Sequence, residues 1–372
     1  MKKILALILA LLLVVGMFGA CDTAEKETDA PEEKQSEAEE SGAEKESEEK
    51  ESNTENNGGN TENGGNTEND GNENEEPEEE GLVESTAGLE FKLNEDGKGY
   101  TLVGIGTCTA TEIVIDGYKG LPVTSIDAEV FENCIDLTNV MIGKSVENIG
   151  AAAFAGCYKL VEVINKSSLT IKKGETSNGY VAKYALEVHS GESKLVNNNG
   201  YLFYTVSELN YLVNYIGNDT ELTLPADYNG ENYVINDHAF KRNEKITKVT
   251  IPDSVTSIGG ETFDMCSNLT SITIGDSVES IGVAAFAYSS NLTSVTLGNS
   301  LTSIGAGAFE FCGFSTITIP DSVTSIGEGA FFGCSSLTSI NYCGTEAQWG
   351  NISKAYAEIP SSCTITYEYT GE

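Results

Sequence analysis

The sequence predicts a β-rich repeat solenoid, with a parallel β-sheet on one face, short turns or helical segments on the other, and a β-hairpin insertion interrupting the stack. Three observations predict it. Phe240, Phe263, Phe286 and Phe309 stand 23 residues apart, and Phe331 follows after 22. An isoleucine sits five residues before each of them: Ile235, Ile258, Ile281, Ile304 and Ile326. Between these anchors, stretches such as NLTSITI place Leu269, Ile272 and Ile274 in an L-x-x-L-x-L pattern, whose last two members alternate as a half-buried strand does. A recurrence of roughly 20 to 50 residues means stacked units, none of which can bury its apolar face alone. Such a stack offers long surfaces rather than one deep pocket.

The chain opens with a targeting segment, Met1–Ala20. Lys2 and Lys3 precede an apolar run from Ile4 to Phe18, and small Gly19 and Ala20 stand before Cys21. That layout is a secretory signal. A cysteine directly after two small residues also resembles the lipobox of bacterial lipoproteins, which implies lipidation at Cys21 and a membrane anchor. Ordinary cleavage, or an uncleaved anchor, is the competing reading, and each version exports the remainder.

Residues 21–86 read as a lipidated cysteine followed by a disordered acidic tether. Residues 22–86 hold 25 Asp and Glu against 4 Lys, with near-repeats such as NTENNGG and NTENGG. That composition buries too little apolar surface to offset chain entropy. A flexible chain of this length spans on the order of 45 Å end to end. The whole protein carries 21 Lys and Arg against 58 Asp and Glu, a net charge of −37. A phosphate backbone would be repelled, which excludes nucleic acid as a partner.

Residues 87–160 form an N-terminal cap and the first repeats. GLEFKLNEDGKGYTLVGIG alternates around Asp96–Gly97 as a hairpin does, and Ile126/Phe131 and Ile149/Phe154 bring in the repeat frame. The frame then breaks, so 161–219 is assigned as an insertion. There GYVAKYALEVH has helical spacing, and GYLFYTVSELNYLVNYIG reads as an aromatic hairpin projecting from the stack. Residues 220–340 are the main repeat block and 341–372 the C-terminal cap, with Trp349 opening a short amphipathic segment and CTITYEY a last strand.

Nine cysteines in an exported chain first suggest disulfides. Spacing argues for buried thiols instead. Cys134, Cys157, Cys266, Cys312 and Cys334 each follow an anchoring Phe by three residues, and Asn243 and Ser289 hold that place elsewhere. The substitutions point to a small side chain at a tight turn. A 312–334 or 343–363 bridge in non-reducing mass spectrometry would contradict this.

The recurring phrase LTSItIPdSVTSIGegAFxgC is similar to the BspA-like leucine-rich repeats of bacterial surface proteins, and the resemblance covers residues 89–372. It implies a curved, right-handed leucine-rich-repeat-like solenoid. It also implies adhesion to host, matrix or other cells, displayed at the bacterial cell surface. No catalytic residue, cofactor or fixed ligand comes with it.

Two surfaces are candidates for a protein or glycan ligand. One is the outward Ser/Thr lattice of the strands, including Thr270, Ser271, Thr273, Thr293, Ser294 and Thr296, which a soluble sheet face would also produce. The other is the insertion hairpin, with Tyr201, Phe203, Tyr204, Tyr211 and Tyr215, since exposed aromatics anchor contacts well. Packing of the hairpin on the solenoid would account for these aromatics too. On the binding reading, deletion of 196–217 weakens binding and leaves the solenoid folded. Three classes of function follow: a lipid-anchored surface binding protein, a structural envelope protein without a specific ligand, and, remotely, an exported hydrolase using His189 or His238. No G-x-S-x-G elbow supports the last.

Overall fold

The computed structural model describes residues 81–354 and 356–371 of the 372-residue chain. The signal segment, Cys21 and the acidic tract through residue 80 lie outside the described residues. The array is a β-solenoid in which each rung stacks in register on the next. In the main block the strands Glu221–Thr223, Lys248–Ile251, Ser271–Ile274 and Ser294–Thr296 pair in parallel. Ile272 lies between Val249 and Val295, so like stacks on like.

A second parallel sheet runs along the stack, where one sheet and a turn face were expected. The short segments Val255–Ile258, Ser280–Ile281, Ser303–Ile304 and Ser325–Ile326 pair successively, so the isoleucines placed before each Phe form their own ladder. The cause is geometric. The turn at Gly275–Asp276 is short, the chain is extended again beyond it, and an extended segment in register with its copy completes the hydrogen bonds its backbone requires.

The anchoring phenylalanines stack face to face inside. Ring centroids are 4.9 Å apart for Phe240–Phe263, and 5.3 Å for both Phe263–Phe286 and Phe286–Phe309, all within 8° of parallel. That spacing is set by the separation of paired strands, about 4.8 Å. Every anchor lies between two left-handed residues, two before and two after it, such as Ala284 (φ 52°) and Tyr288 (φ 57°) around Phe286. These pairs turn the chain sharply around the ring. Between Ser294–Thr296 and Thr316–Ile319 the first sheet is interrupted. There the spacing shortens by one residue, and the bulkier Phe314 fills the place of Leu292 in the core.

The cysteine column has a more specific cause than small size. The thiols of Cys157, Cys266, Cys312 and Cys334 donate to the carbonyl oxygens of Phe131, Phe240, Phe286 and Phe309, one rung back, at 3.0–3.2 Å. Ser289 does the same toward Phe263 at 2.8 Å. The position requires a compact donor for a buried carbonyl, which is why Cys and Ser exchange there. All eight described cysteines are free thiols.

Both ends are closed. Glu90–Leu93 and Tyr100–Gly104 form the N-terminal hairpin, and the latter pairs in parallel with Leu121–Ile126. At the C-terminus Thr364–Thr366 adds a strand beside Ser339–Tyr342, with Ile365 against Ile340. Trp349 sits in a helix, Glu346–Asn351, opened by a Thr345–Gln348 capping box, and its ring packs on Tyr342 at 5.1 Å.

The insertion departs from its expected form in two ways. GYVAKYALEVH is not a helix. It holds a single 3₁₀ turn, Asn178–Tyr180, and ends in the strand Glu187–His189, which pairs with Glu162–Asn165. Buried Val181, Ala182 and Ala185 repeat the spacing of Ala153, Phe154 and Cys157. It is a degenerate rung, and a rung's turn shares the i, i+1, i+4 spacing of an amphipathic helix. The second departure is the hairpin. Tyr201–Val206 and Leu209–Tyr215 turn at Ser207–Glu208, both left-handed, as a type I′ turn requires. The hairpin does not project: Leu209–Tyr215 pairs in parallel with Tyr233–Ile235 and starts the long second sheet.

That hairpin joins two solenoid blocks, each with its own core. Its Phe203, Leu212 and Tyr215 enter the larger core. Its Leu202, Tyr204 and Val213 turn the other way and pack with Val161 of the first block. Buried Lys159 of the first block donates to Asn214 of the hairpin at 3.1 Å. Both faces of the hairpin are therefore interior.

Three outcomes follow. Phe286→Ala, at a fully buried ring with a ring on either side, should cost about 3–5 kcal/mol in denaturant unfolding. Burial pushes the Cys157 and Cys266 thiols from the ordinary 9.0 up to about 12. The protonated, folded form is favoured, so their contribution is complete below about pH 9, where the unfolded thiol begins to ionise, and is lost as pH rises toward 12. At pH 8 a disulfide-exchange reagent should leave these thiols unmodified until denaturant is added, and Cys266→Ser should be tolerated better than Cys266→Ala. Deletion of 196–217 should give an aggregated or unfolded chain by circular dichroism and gel filtration, contrary to the expectation that the solenoid folds without it.

Candidate binding surface

The Ser/Thr lattice faces outward as the alternation of the strands requires. Thr270, Thr293, Ser294 and Thr296 are exposed, and Ser271 and Thr273 are half-buried. Part of its hydrogen-bonding capacity is taken up within the stack. Thr270 Oγ1 donates to the Thr247 carbonyl at 2.9 Å and Thr293 Oγ1 to the Thr270 carbonyl at 3.4 Å, each one rung back. The side-chain amides of Asn268 and Asn291 likewise reach Glu244 and Ser267 carbonyls, at 2.6 and 2.7 Å. The Asn-Leu-Thr triplets at 268–270 and 291–293 therefore recur because their rungs stack. Ser271, Thr273, Ser294 and Thr296 remain as the outward hydroxyls.

The aromatic hairpin is corrected as a contact surface. Phe203, Tyr204 and Tyr215 are buried, Tyr201 and Tyr211 half-buried. Tyr204 Oη donates to Glu187 at 2.8 Å, Tyr215 Oη to Asp219 at 2.9 Å, and Tyr201 Oη to the Thr223 carbonyl at 3.1 Å. A strand with interior on both sides is apolar on both faces, which is the pattern seen in 201–215.

Beside the hairpin the structure gathers groups that resemble hydrolase machinery in type and not in wiring. Glu162, with no exposure, accepts from His189 Nε2 at 2.9 Å, Ser193 Oγ at 2.7 Å and the Lys194 amide at 2.8 Å, and also from Asn139 Nδ2. His189 Nδ1 accepts the Gly191 amide at 3.1 Å, so its Nε2 carries the hydrogen toward Glu162. Nucleophilic activation needs a hydroxyl bonded to the imidazole. Here the hydroxyl is bonded to the carboxyl group, and the cluster satisfies the buried Glu162 oxygens at the joint between blocks. His238 stacks on Tyr158 at 5.3 Å and meets Tyr184 at the same distance, and burial lowers its pKa. It too joins the two blocks.

The turn face of the main block holds the exposed feature that sequence reasoning missed. Met265, Tyr288 and Phe311 each follow an anchoring Phe by two residues, and Phe332 follows Phe331 by one. They are 39 %, 46 %, 39 % and 47 % exposed. Tyr288 and Phe311 stack at 5.1 Å and 23°, and Phe332 meets Phe311 edge-on at 5.4 Å. Met265, Tyr288 and Phe311 have φ of 58°, 57° and 54°. In the first block the same left-handed place holds Asn133 and Gly156, the residue types that tolerate it best. An aromatic or Met there costs on the order of 1 kcal/mol of backbone strain. Beside the ladder a shallow hollow of about 350 Å³ opens over Ala306, Gly307 and Gly329, with Glu310 and Glu328 at its rim. The signal in the sequence is a bulky apolar residue two places after the Phe in three successive repeats, Met265, Tyr288 and Phe311.

No curated protein matches the chain. Among solved structures it is similar to a leucine-rich cell surface protein from Faecalibacterium prausnitzii, at 18 % identity over 73 % of this chain and 97 % of that one, TM-score 0.34. A leucine-rich repeat protein from Bacteroides ovatus matches at 20 % identity over 76 % of each chain, TM-score 0.33. The pneumococcal vaccine antigen PcpA matches at 15 % identity over 75 % of this chain and 83 % of that one, TM-score 0.37. The BspA-type leucine-rich repeat region matches in six copies over residues 124–220 and 214–338, which together span more than half of the sequence. With its stacked Phe column and leucine-rich rungs, the chain belongs to the BspA-type leucine-rich repeat family.

Proposed function

We propose that the protein is exported, lipidated at Cys21, and displayed on the outer face of the bacterial cell membrane, where the solenoid binds a protein or glycan ligand in adhesion. One observation carries this reading. Side-chain columns that face solvent are repeated at rung spacing along the main block, while the columns beside them face the core, buried at every rung except Val295 and Leu297, which are half-buried. A solenoid of this kind presents one extended surface rather than a closed pocket. The signal-like start and Cys21 supply the route and the anchor, and the acidic tract supplies the distance from the membrane. The threonine hydroxyls taken up between rungs favour a second, purely structural reading for the Ser/Thr face alone.

The anchor is tested by Cys21→Ala in the full chain. The wild type should partition into detergent and incorporate labelled fatty acid; the variant should lose the label, and equal labelling of both excludes Cys21 as the site. Adhesion is tested by comparing cells that display the chain with cells that lack it, on immobilised matrix proteins, glycans and other cells. Equal adhesion throughout would leave the structural reading in its place.

A further inference from the structure

We propose that the exposed ladder Met265–Tyr288–Phe311–Phe332 is the contact face for a partner protein, and that it takes an extended segment in which Lys or Arg stands beside aromatic or branched aliphatic side chains. The inference rests on the surface-binding reading and names the place and chemistry of that binding.

Three observations lead there. The ladder is apolar, runs across successive rungs and is exposed; the places of Met265, Tyr288 and Phe311 are held by Asn133 and Gly156 in the first block and by Arg242 one rung before Met265, and Phe332 joins beside Gly333. The turn imposes a left-handed backbone on this place in every rung, so folding explains the conformation but not the choice of exposed Met, Tyr and Phe where Asn or Gly is less strained. Contiguous exposed apolar side chains of that kind mark interaction surfaces.

The second observation is charge. Residues 249–372 contain twelve Asp and Glu and a single base, Lys354. Lys354 donates to the Trp349 carbonyl and lies 5.2 Å from that ring, within the C-terminal cap. Among the described residues, Glu310 and Glu328, at the rim of the hollow beside the ladder, form no ion pair, and Glu310 lies 3.4 Å from Tyr288 Oη. An apolar stripe flanked by uncompensated carboxylates complements a cationic partner with apolar anchors. A second copy of this strongly acidic chain would be repelled.

The third is shape. Stacked Tyr288 and Phe311 present their ring edges outward along the column, with each inner face covered by the neighbouring ring. A sugar needs an open ring face; side chains of an extended peptide pack against edges and between rungs. Cations find carboxylates at the rim, Glu310 and Glu328.

The experiment selects a displayed random-peptide library against the whole protein and measures the enriched peptides on two variants. M265N/Y288N/F311N installs the residue found at Asn133, so its melting temperature should be kept or raised. E310Q/E328Q keeps the ladder and removes the charge. Peptides pairing Lys or Arg with apolar residues are expected, with binding about tenfold or more weaker on the first variant and several-fold weaker, with less salt dependence, on the second. Neutral or acidic winners, unchanged binding on the ladder variant, or no enrichment at all would overturn the proposal. A glycan whose binding needs the ladder, or a ladder-dependent dimer in sedimentation, would assign the face to another occupant and overturn it equally. The surface-binding reading is judged separately by the adhesion comparison, which depends on neither variant.

Discussion

Everything in this molecule depends on backbone pairing between successive rungs. A paired strand must lie about 4.8 Å from its neighbour. Once the chain meets that distance at Lys248–Ile251 and again at Ser257–Ile258, every position between inherits it. The Phe rings stack at the same interval because their backbones do, and the thiols reach a carbonyl one rung back because it is always in the same place. Side chains in such a stack are chosen by column rather than one at a time.

The joint between the two blocks is the exception that column logic does not supply. There the frame is lost, and the structure substitutes a hairpin that is interior on both faces, a saturated Glu162 carboxylate and the buried Lys159–Asn214 contact. Breaking one partner of such a buried polar group leaves the other without solvent or counterpart, which costs more than its presence contributes. The polar groups there fix how one block sits on the next.

Much of this was legible in the sequence. The Phe and Ile intervals gave the rungs, the Asp96–Gly97 turn gave the N-terminal hairpin, and the alternation of CTITYEY gave the last strand, with Ile365 beside Ile340. The second sheet was not legible, because two-residue pairs such as Ser280–Ile281 are too short to carry a period. The degenerate rung at Val181–Ala185 has helical spacing in the sequence because a rung's turn and an amphipathic helix share it. The hairpin aromatics admit both a contact surface and packing on the solenoid, because alternation tells which residues share a face and not whether that face meets solvent. Met265, Tyr288 and Phe311 pose the opposite difficulty: in a column, an exposed apolar residue is indistinguishable from a buried one until the inner column is known.

Gly333 shows how the aromatic column ends. A Cβ built on it would lie within 2.4–3.0 Å of three atoms of the Phe311 ring, so the ring occupies the space a side chain would need. The next place back from Met265 is Arg242, a charge. The apolar column thus has two fixed termini, one set by a missing methyl group and the other by a cation. Between Met265 and Phe311 lie two rung intervals, about 10 Å, or roughly three residues of extended chain. The solenoid is a ruler as well as a scaffold: the number of consecutive rungs that keep a bulky residue in this column sets the length of whatever lies along it, and adding or removing one whole rung would change that length by a single fixed increment.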